Sequence, residues 1–246
     1  MLDVLFRPKS VAVIGASAKE LTIGNRIVKN LIDFGFKGSI YPISLKADEI
    51  LGVIGYTEHG ARHASLSSNI AYNIMQRLKK TEREAHLAAI AAYLHDIGNV
   101  INRDYHAQTG AIIAYDILLQ MGMEVDDIMD VVAAIGNHDE KDGQPVSNIC
   151  AAVILADKSD VHSSRVRNLE MIKQDIHDRV NYAAKSSFLR VDFEKQTISL
   201  EIKIDTTVSQ VMEYFEIFLS RMAVCRKAAE FLKMRFELEI NGQRLL

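Results

Sequence analysis

The 246-residue chain has two cysteines, Cys150 and Cys225, which lie far apart in apolar helical surroundings with no CxxC pairing. That excludes a disulfide framework and gives no support to thiolate metal ligation, so both read as core residues. No apolar run approaches the ~20 residues that a membrane-spanning helix requires. The opening stretch from Met1 to Ser10 carries charge and Pro8 but lacks the long apolar segment of a signal peptide. The expected location is the cytoplasm, with no membrane partner. The formal net charge is −3, so no overall positive balance is present to attract a nucleic-acid polymer or an anionic membrane. There is no internal repeat and no low-complexity tract. What is there is an ordinary globular composition, apolar enough to build the core of one large or two small domains.

Two unlike segments follow one another. Ser10 to Ser17 is a short, β-branched apolar run interrupted by Gly15, the pattern of a buried parallel strand followed by a tight turn. Ile23 to Phe34 has helical spacing, with Ile27, Val28, Leu31 and Ile32 on one stripe, and Gly38 to Ser44 reads as a second strand. This is a βαβ unit, in which Gly15, Ser17 and Gly24 lie where backbone N–H groups at a helix start receive a phosphate, although the GxGxxG spacing is absent. From Leu51 the periodicity is helical. Thr57 to Leu78, Thr81 to Asp96, His106 to Met121, Val125 to Asn137 and Ser147 to Arg165 form an all-α core of five helices. A further helical stretch near Asp175 to Lys185 precedes a hairpin of Phe188 to Asp192 with Thr197 to Asp205, then a long helix from Thr207 to Leu232. The chain closes on Phe236 to Ile240 and Gln243 to Leu246, joined by Asn241-Gly242, a strong hairpin turn. The expected fold is mainly α, with a short βαβ fragment over 1–46, a helical domain over 51–187 and an α+β subdomain over 188–246. On the long helix, Met212, Tyr214, Phe215, Phe218, Leu219 and Met222 form a stripe that serves core packing or seals a homodimer.

Chemistry enters with the order His59-x3-His63, His95-Asp96, His106, His138 and Asp157. Imidazole mixed with carboxylate suits Mn, Fe, Zn or Ni rather than Ca, which takes oxygen donors. His59 and His63, four apart, share one face if both are helical. Asp96 has two oxygens and can bridge two cations ~3.5–4 Å apart. Asp157 follows the apolar run Ala151 to Ala156, where a free carboxylate is costly unless it is paired or ligates a cation. His86, His162 and His177 have no such partners and read as ordinary helix or surface histidines.

That order resembles the HD superfamily of metal-dependent phosphohydrolases, over about Leu51 to Arg167. His63 matches the family's first ligand, His95-Asp96 its defining doublet and Asp157 its final aspartate. His106 and His138 fall where the binuclear subgroup has two further histidines, and His59 where some relatives carry a glutamate ligand. Asn137 to Gly143 is similar to part of the HHExxDG segment of the HD-GYP phosphodiesterases, and Asp157 to Arg165 to their DxxDxxxxxR segment. Asn137 replaces the first of their paired histidines, which counts against a third metal. Gln144-Pro145 stands in place of GYP, which counts against cyclic-di-GMP. The resemblance implies two divalent transition-metal ions and hydrolysis of a phosphate ester or anhydride, with a small nucleotide or related compound as substrate. A metal-activated hydroxide would be the nucleophile. Asp96 and Asp160 are the expected catalytic residues, Asp160 orienting a cation or shuttling a proton. Lys158, Arg165 and Arg167 are placed to grip phosphoryl oxygens. The alternative is a nucleotide- or CoA-sensing module with a weakly active site. Separately, Arg7 to Ser17, Ile23-Gly24 and Gly35 to Pro42 resemble the opening of the CoA-binding domain of ADP-forming acyl-CoA synthetases, over about the first fifty residues. Two strands and one helix are too few for a self-sufficient sheet core, so this segment reads as a truncated fragment packed on the rest or on another copy, with CoA as its implied ligand.

Overall fold

The computed structural model describes residues 10–14, 23–33, 35–36, 39–43, 59–166 and 176–245. The βαβ unit is present: β1 (Ser10–Ile14) and β2 (Ser39–Ile43) pair in parallel, Ser10 against Ser39 through Ile14 against Ile43, with α1 (Ile23–Asp33) between them in sequence. Gly24 is the second residue of α1, and Gly15 and Ser17 lie outside the described residues.

The five expected core helices are α2 (Ala61–Arg77), α3 (Glu82–Leu94), α4 (His106–Gln120), α5 (Val125–Gly136) and α6 (Asn148–Ser159). Sequence chemistry sets their ends. Thr81 caps α3 through a reciprocal box with Glu84, and the Ser147 hydroxyl accepts the Cys150 N–H at the start of α6. Helix α6 is the axis of the bundle. Every residue from Ile149 to Ser159 is buried, and α2, α3, α5 and α8 (Val211–Phe231) all pack against it. An apolar helix flanked on all sides is what its unbroken Ile-Cys-Ala-Ala-Val-Ile-Leu-Ala sequence requires.

Two of the boundaries that differ from expectation matter to the site. Helix α2 begins after an extended Gly60 (φ −92°, ψ −159°), so His59 precedes the helix instead of sharing its face with His63. Helix α6 stops at Ser159 instead of continuing to Arg165, because Asp160 leaves helical geometry (ψ 79°) and engages His63 and Arg62. A 3-10 turn, Ser163–Arg165, follows.

Helix α7 (Ile176–Ala183) leads into a four-stranded sheet of order β3-β4-β5-β6. β3 (Ala184–Asp192) and β4 (Thr197–Ile204) form the expected antiparallel hairpin, and β5 (Arg235–Ile240) and β6 (Gln243–Arg244) the second. Asn241 (φ 53°) and Gly242 (φ 81°) take the left-handed pair of conformations that such a two-residue turn needs. β4 and β5 are parallel, with α8 as the crossover. The stripe on α8 divides: Tyr214, Phe218 and Met222 are buried in the common core, while Met212 and Leu219 are exposed. No described helix is long and apolar enough to cross a membrane.

Candidate metal centre

Helix ends deliver the candidate ligands. His63 is in the first turn of α2, His95 caps α3, Asp96 follows it, His106 opens α4, His138 lies two residues past α5 and Asp157 is near the end of α6. The doublet is pressed against α4 by two glycines. A Cβ on Gly98, in the 3-10 turn Ile97–Val100, would lie 2.0 Å from the His106 carbonyl oxygen and 2.6 Å from the Gly110 nitrogen, so no side chain fits at this position between the turn and α4.

The imidazoles of His63, His95, His106 and His138 are buried, and each has its Nδ1 occupied from outside the cluster. His95 Nδ1 lies 2.7 Å from the Ala92 carbonyl, His106 Nδ1 2.9 Å from that of Arg103 and His138 Nδ1 2.7 Å from that of Ile135. His63 Nδ1 lies 2.7 Å from Asp160 Oδ2. Since carbonyls and carboxylates only accept, each Nδ1 carries the proton, and a neutral ring then presents a bare Nε2 inward. These nitrogens converge: His63 and His95 at 3.3 Å, His106 and His138 at 3.1 Å.

Two carboxylates meet them. Asp96 Oδ2 is 3.2 Å from His95 Nε2 and 3.7 Å from His63 Nε2, while Asp157 Oδ1 is 3.3 Å from His63 Nε2 and 3.6 Å from His95 Nε2. Buried Asp96 Oδ2 has no hydrogen-bond partner. A buried cluster of acceptors needs a positive charge at its centre. A proton can supply it: burial opposes charging His95, but Asp96 and Asp157 outweigh it and push the imidazole up to about 10. Burial likewise disfavours the Asp96 and Asp157 carboxylates, yet the cations around them hold both well below the usual range. A divalent cation would meet the same need. The donor atoms of His63, His95 and Asp157, and those of His95, Asp96 and His138, lie within 4.8 Å of one another in each group.

The other expected site residues surround this cluster. His59 is partly exposed and sits edge-on to His63 with ring centroids 5.7 Å apart. Burial holds its pKa well below the ordinary value. Asp160 is buried, taking a bidentate contact from Arg62 (2.9 and 3.3 Å) besides His63. Lys158 is buried between Asp157 Oδ2 (2.7 Å) and Glu140, and Glu140 is gripped in turn by Arg221 of α8 at 3.3 Å. Arg165 is buried and donates to the Asp160 carbonyl at 2.8 Å. Arg167 lies outside the described residues. Asn137 does not enter the cluster: its amide caps α5 by donating to Ala133 O at 2.9 Å. A cleft of about 910 Å³ between α2 and β3 reaches Arg62 and Asp160 but none of the converging imidazoles.

Sequence reasoning did not identify Arg62, Arg103, Glu140 or Arg221. Arg103 NH1 lies 3.4 Å from Asp96 Oδ1 and 3.2 Å from His106 Nε2. Nothing in its Asn-Arg-Asp-Tyr setting distinguishes it from a solvated loop arginine. Its place three residues before His106 is the one available signal.

Residues 60–164 match the sequence model of the HD domain, and residues 9–73 that of a CoA binding domain. The chain is 29% identical over 231 residues to an uncharacterised protein of Methanocaldococcus jannaschii, covering 81% of this chain and 84% of that one. It is 61% identical over 49 residues to subunit alpha of an ADP-forming acetate–CoA ligase I of Pyrococcus furiosus. The match covers 20% of this chain and spans only 11% of that subunit. A crystal structure of a predicted HD superfamily hydrolase from an uncultured Thermotogales bacterium is similar at 27% identity and a TM-score of 0.37, over 46% of this chain and 67% of that one.

Proposed function

We propose, from the HD domain at residues 60–164, that this protein is a metal-dependent phosphohydrolase or phosphodiesterase acting on a phosphate ester or anhydride of a small nucleotide or related compound. The observation that carries this reading is the unpartnered Asp96 Oδ2 facing the inward-turned Nε2 atoms of His63 and His95. His63, His95, Asp96 and Asp157 would hold the cation, with His106, His138 and His59 as the further nitrogen donors beside it. A divalent cation there supplies Lewis acidity, acidifying water and offsetting charge that develops on phosphoryl oxygens. The chain's own groups do the rest. Asp160 orients the His63 ring through Nδ1, and the three main-chain carbonyls do the same for His95, His106 and His138. Lys158 ties Asp157 by one oxygen and leaves the other turned toward the imidazoles. With Lys158 and Arg165 committed to buried carboxylate and carbonyl partners, the role of gripping the substrate falls to other cations, Arg167 among them.

Purified protein loaded with Mn or Fe(II) and offered a panel of nucleotides, phosphomonoesters and phosphodiesters should release product. Tight nucleotide binding without product would favour a sensor instead. Protein that holds no metal after reconstitution would overturn both.

The match of residues 9–73 to a CoA binding domain favours a second ligand, CoA, at the βαβ segment. Calorimetric titration with CoA should then show heat and thermal stabilisation. Absence of both would leave the segment as a packing fragment.

A further inference from the structure

The donors beyond the His63 and His95 pair already hold a cation that belongs to the chain. Asp96 turns its two oxygens to different sides. Oδ2 is unpartnered and faces His63 and His95, whereas Oδ1 accepts from Asn99 Nδ2 at 2.8 Å and lies 3.4 Å from Arg103 NH1. The same NH1 is 3.2 Å from His106 Nε2 and 3.4 Å from Asn99 Oδ1. His106 Nδ1 is spent on the Arg103 carbonyl, so Nε2 is the acceptor in this contact. That carbonyl also takes the His106 backbone N–H at 3.3 Å, which fixes Arg103 relative to the imidazole. A guanidinium does not lose its proton in a protein, so the charge among these groups is permanent.

A second metal ion would need the same atoms: the other oxygen of Asp96 and the inward nitrogen of His106. It would also stand against a fixed positive charge with which it shares those donors. We propose that Arg103 is the second cation of this centre. One metal ion is bound tightly from the His63, His95, Asp96 and Asp157 side, and the Arg103 guanidinium takes the place that a second ion would occupy between Asp96 and His106. The assignment rests on the reading of the cluster as a metal centre. It replaces the two ions expected from the ligand order with one ion and one guanidinium.

The test is to titrate the metal-free full chain with Mn(II), using calorimetry and metal analysis for stoichiometry and electron paramagnetic resonance for the number of neighbouring ions. The wild type should bind one ion tightly and show the spectrum of an isolated Mn(II). Arg103→Ala should bind two, its second-site affinity rising roughly 10–100-fold, and should show a spin-coupled pair. Arg103→Lys, which keeps the charge, should stay at one. Arg103→Gln keeps an N–H donor group without the charge and should behave as the alanine variant, so it stands in if the alanine variant does not fold. Two tight ions in the wild type, or one ion in both Arg103→Ala and Arg103→Gln, would overturn the assignment of Arg103. Failure of wild type and variants alike to bind any Mn(II) would overturn the metal centre itself.

Discussion

His63 Nδ1 and Asp160 Oδ2 lie 2.7 Å apart across 97 residues of sequence, and this contact decides which nitrogen of His63 faces the cluster. Asp160 is held for the task by Arg62 and by its place at the end of α6, where the helix stops so that the carboxylate can turn inward. It reaches the cluster through His63, and we propose that it is a positioning residue.

Replacing it should loosen metal binding without unfolding the protein. For Asp160→Ala, Mn(II) affinity measured by calorimetry should fall about 10–100-fold. Asp160→Asn, which keeps an acceptor for the ring N–H, should fall less. Equal affinity in all three proteins would remove Asp160 from the support of His63.

Asp96 should be the most sensitive position for activity and metal content together, because its unpartnered oxygen faces two imidazoles at once. In a comparison of Asp96→Ala, Asp157→Ala and His106→Ala, the first should lose both metal and hydrolysis. His106→Ala should keep the ion held on the His63 side. An Asp96→Ala protein with wild-type metal content and turnover would show that the cluster is not the reacting centre.

Gly98→Ala would place a methyl group 2.0 Å from the His106 carbonyl oxygen. The backbone must move, at a cost of about 1–3 kcal/mol. That corresponds to a fall in melting temperature of roughly 2–4 °C per kcal/mol in a protein of this size, readable by calorimetry. His106 should shift with it, so metal affinity should weaken in parallel. An unchanged melting temperature would contradict the close approach of the 3-10 turn to α4.

Lys158 is 3% exposed and neutralises two carboxylates, buried Asp157 and half-buried Glu140. Lys158→Met should destabilise the metal-free protein by about 3–5 kcal/mol, because the partner charges stay buried without compensation. Denaturant unfolding measures this. A loss below the error of the method would mean that water or Arg221 compensates the pair.

Glu213 links α8 to Arg179 of α7, and Arg179, with Ser209 and the Gln210 N–H, lowers its carboxyl from an ordinary 4.5 to about 2. A lowered folded-state pKa contributes stability that is present above 4.5 and lost as pH falls toward about 2. The wild type should thus melt above Glu213→Gln at pH 6, with the gap closing between pH 4.5 and 2. A gap independent of pH would assign the difference to packing.

Periodicity alone determined the order of elements. The 3.6-residue spacing from Ala61 to Ser159 specifies five helices, and Asn241-Gly242 specifies the last hairpin, because these signals are local and one face of each element must be buried. The order of histidines and aspartates likewise pointed to a metal centre, since residue type dictates ligand chemistry. Tertiary structure decided the rest. The parallel pairing of β4 with β5 depends on α8 folding back between them. The spacing of four predicts that His59 and His63 share a helix face but says nothing about where the helix begins, and extended Gly60 starts α2 after His59. Lys158 and Arg165 read as cations that grip phosphoryl oxygens because sequence does not show which carboxylates and carbonyls lie across the fold from them. The chain order that places Asp160 against His63, and Arg103 between Asp96 and His106, is invisible until the helices pack, because these are contacts between helix ends and loops whose direction only the packed core fixes.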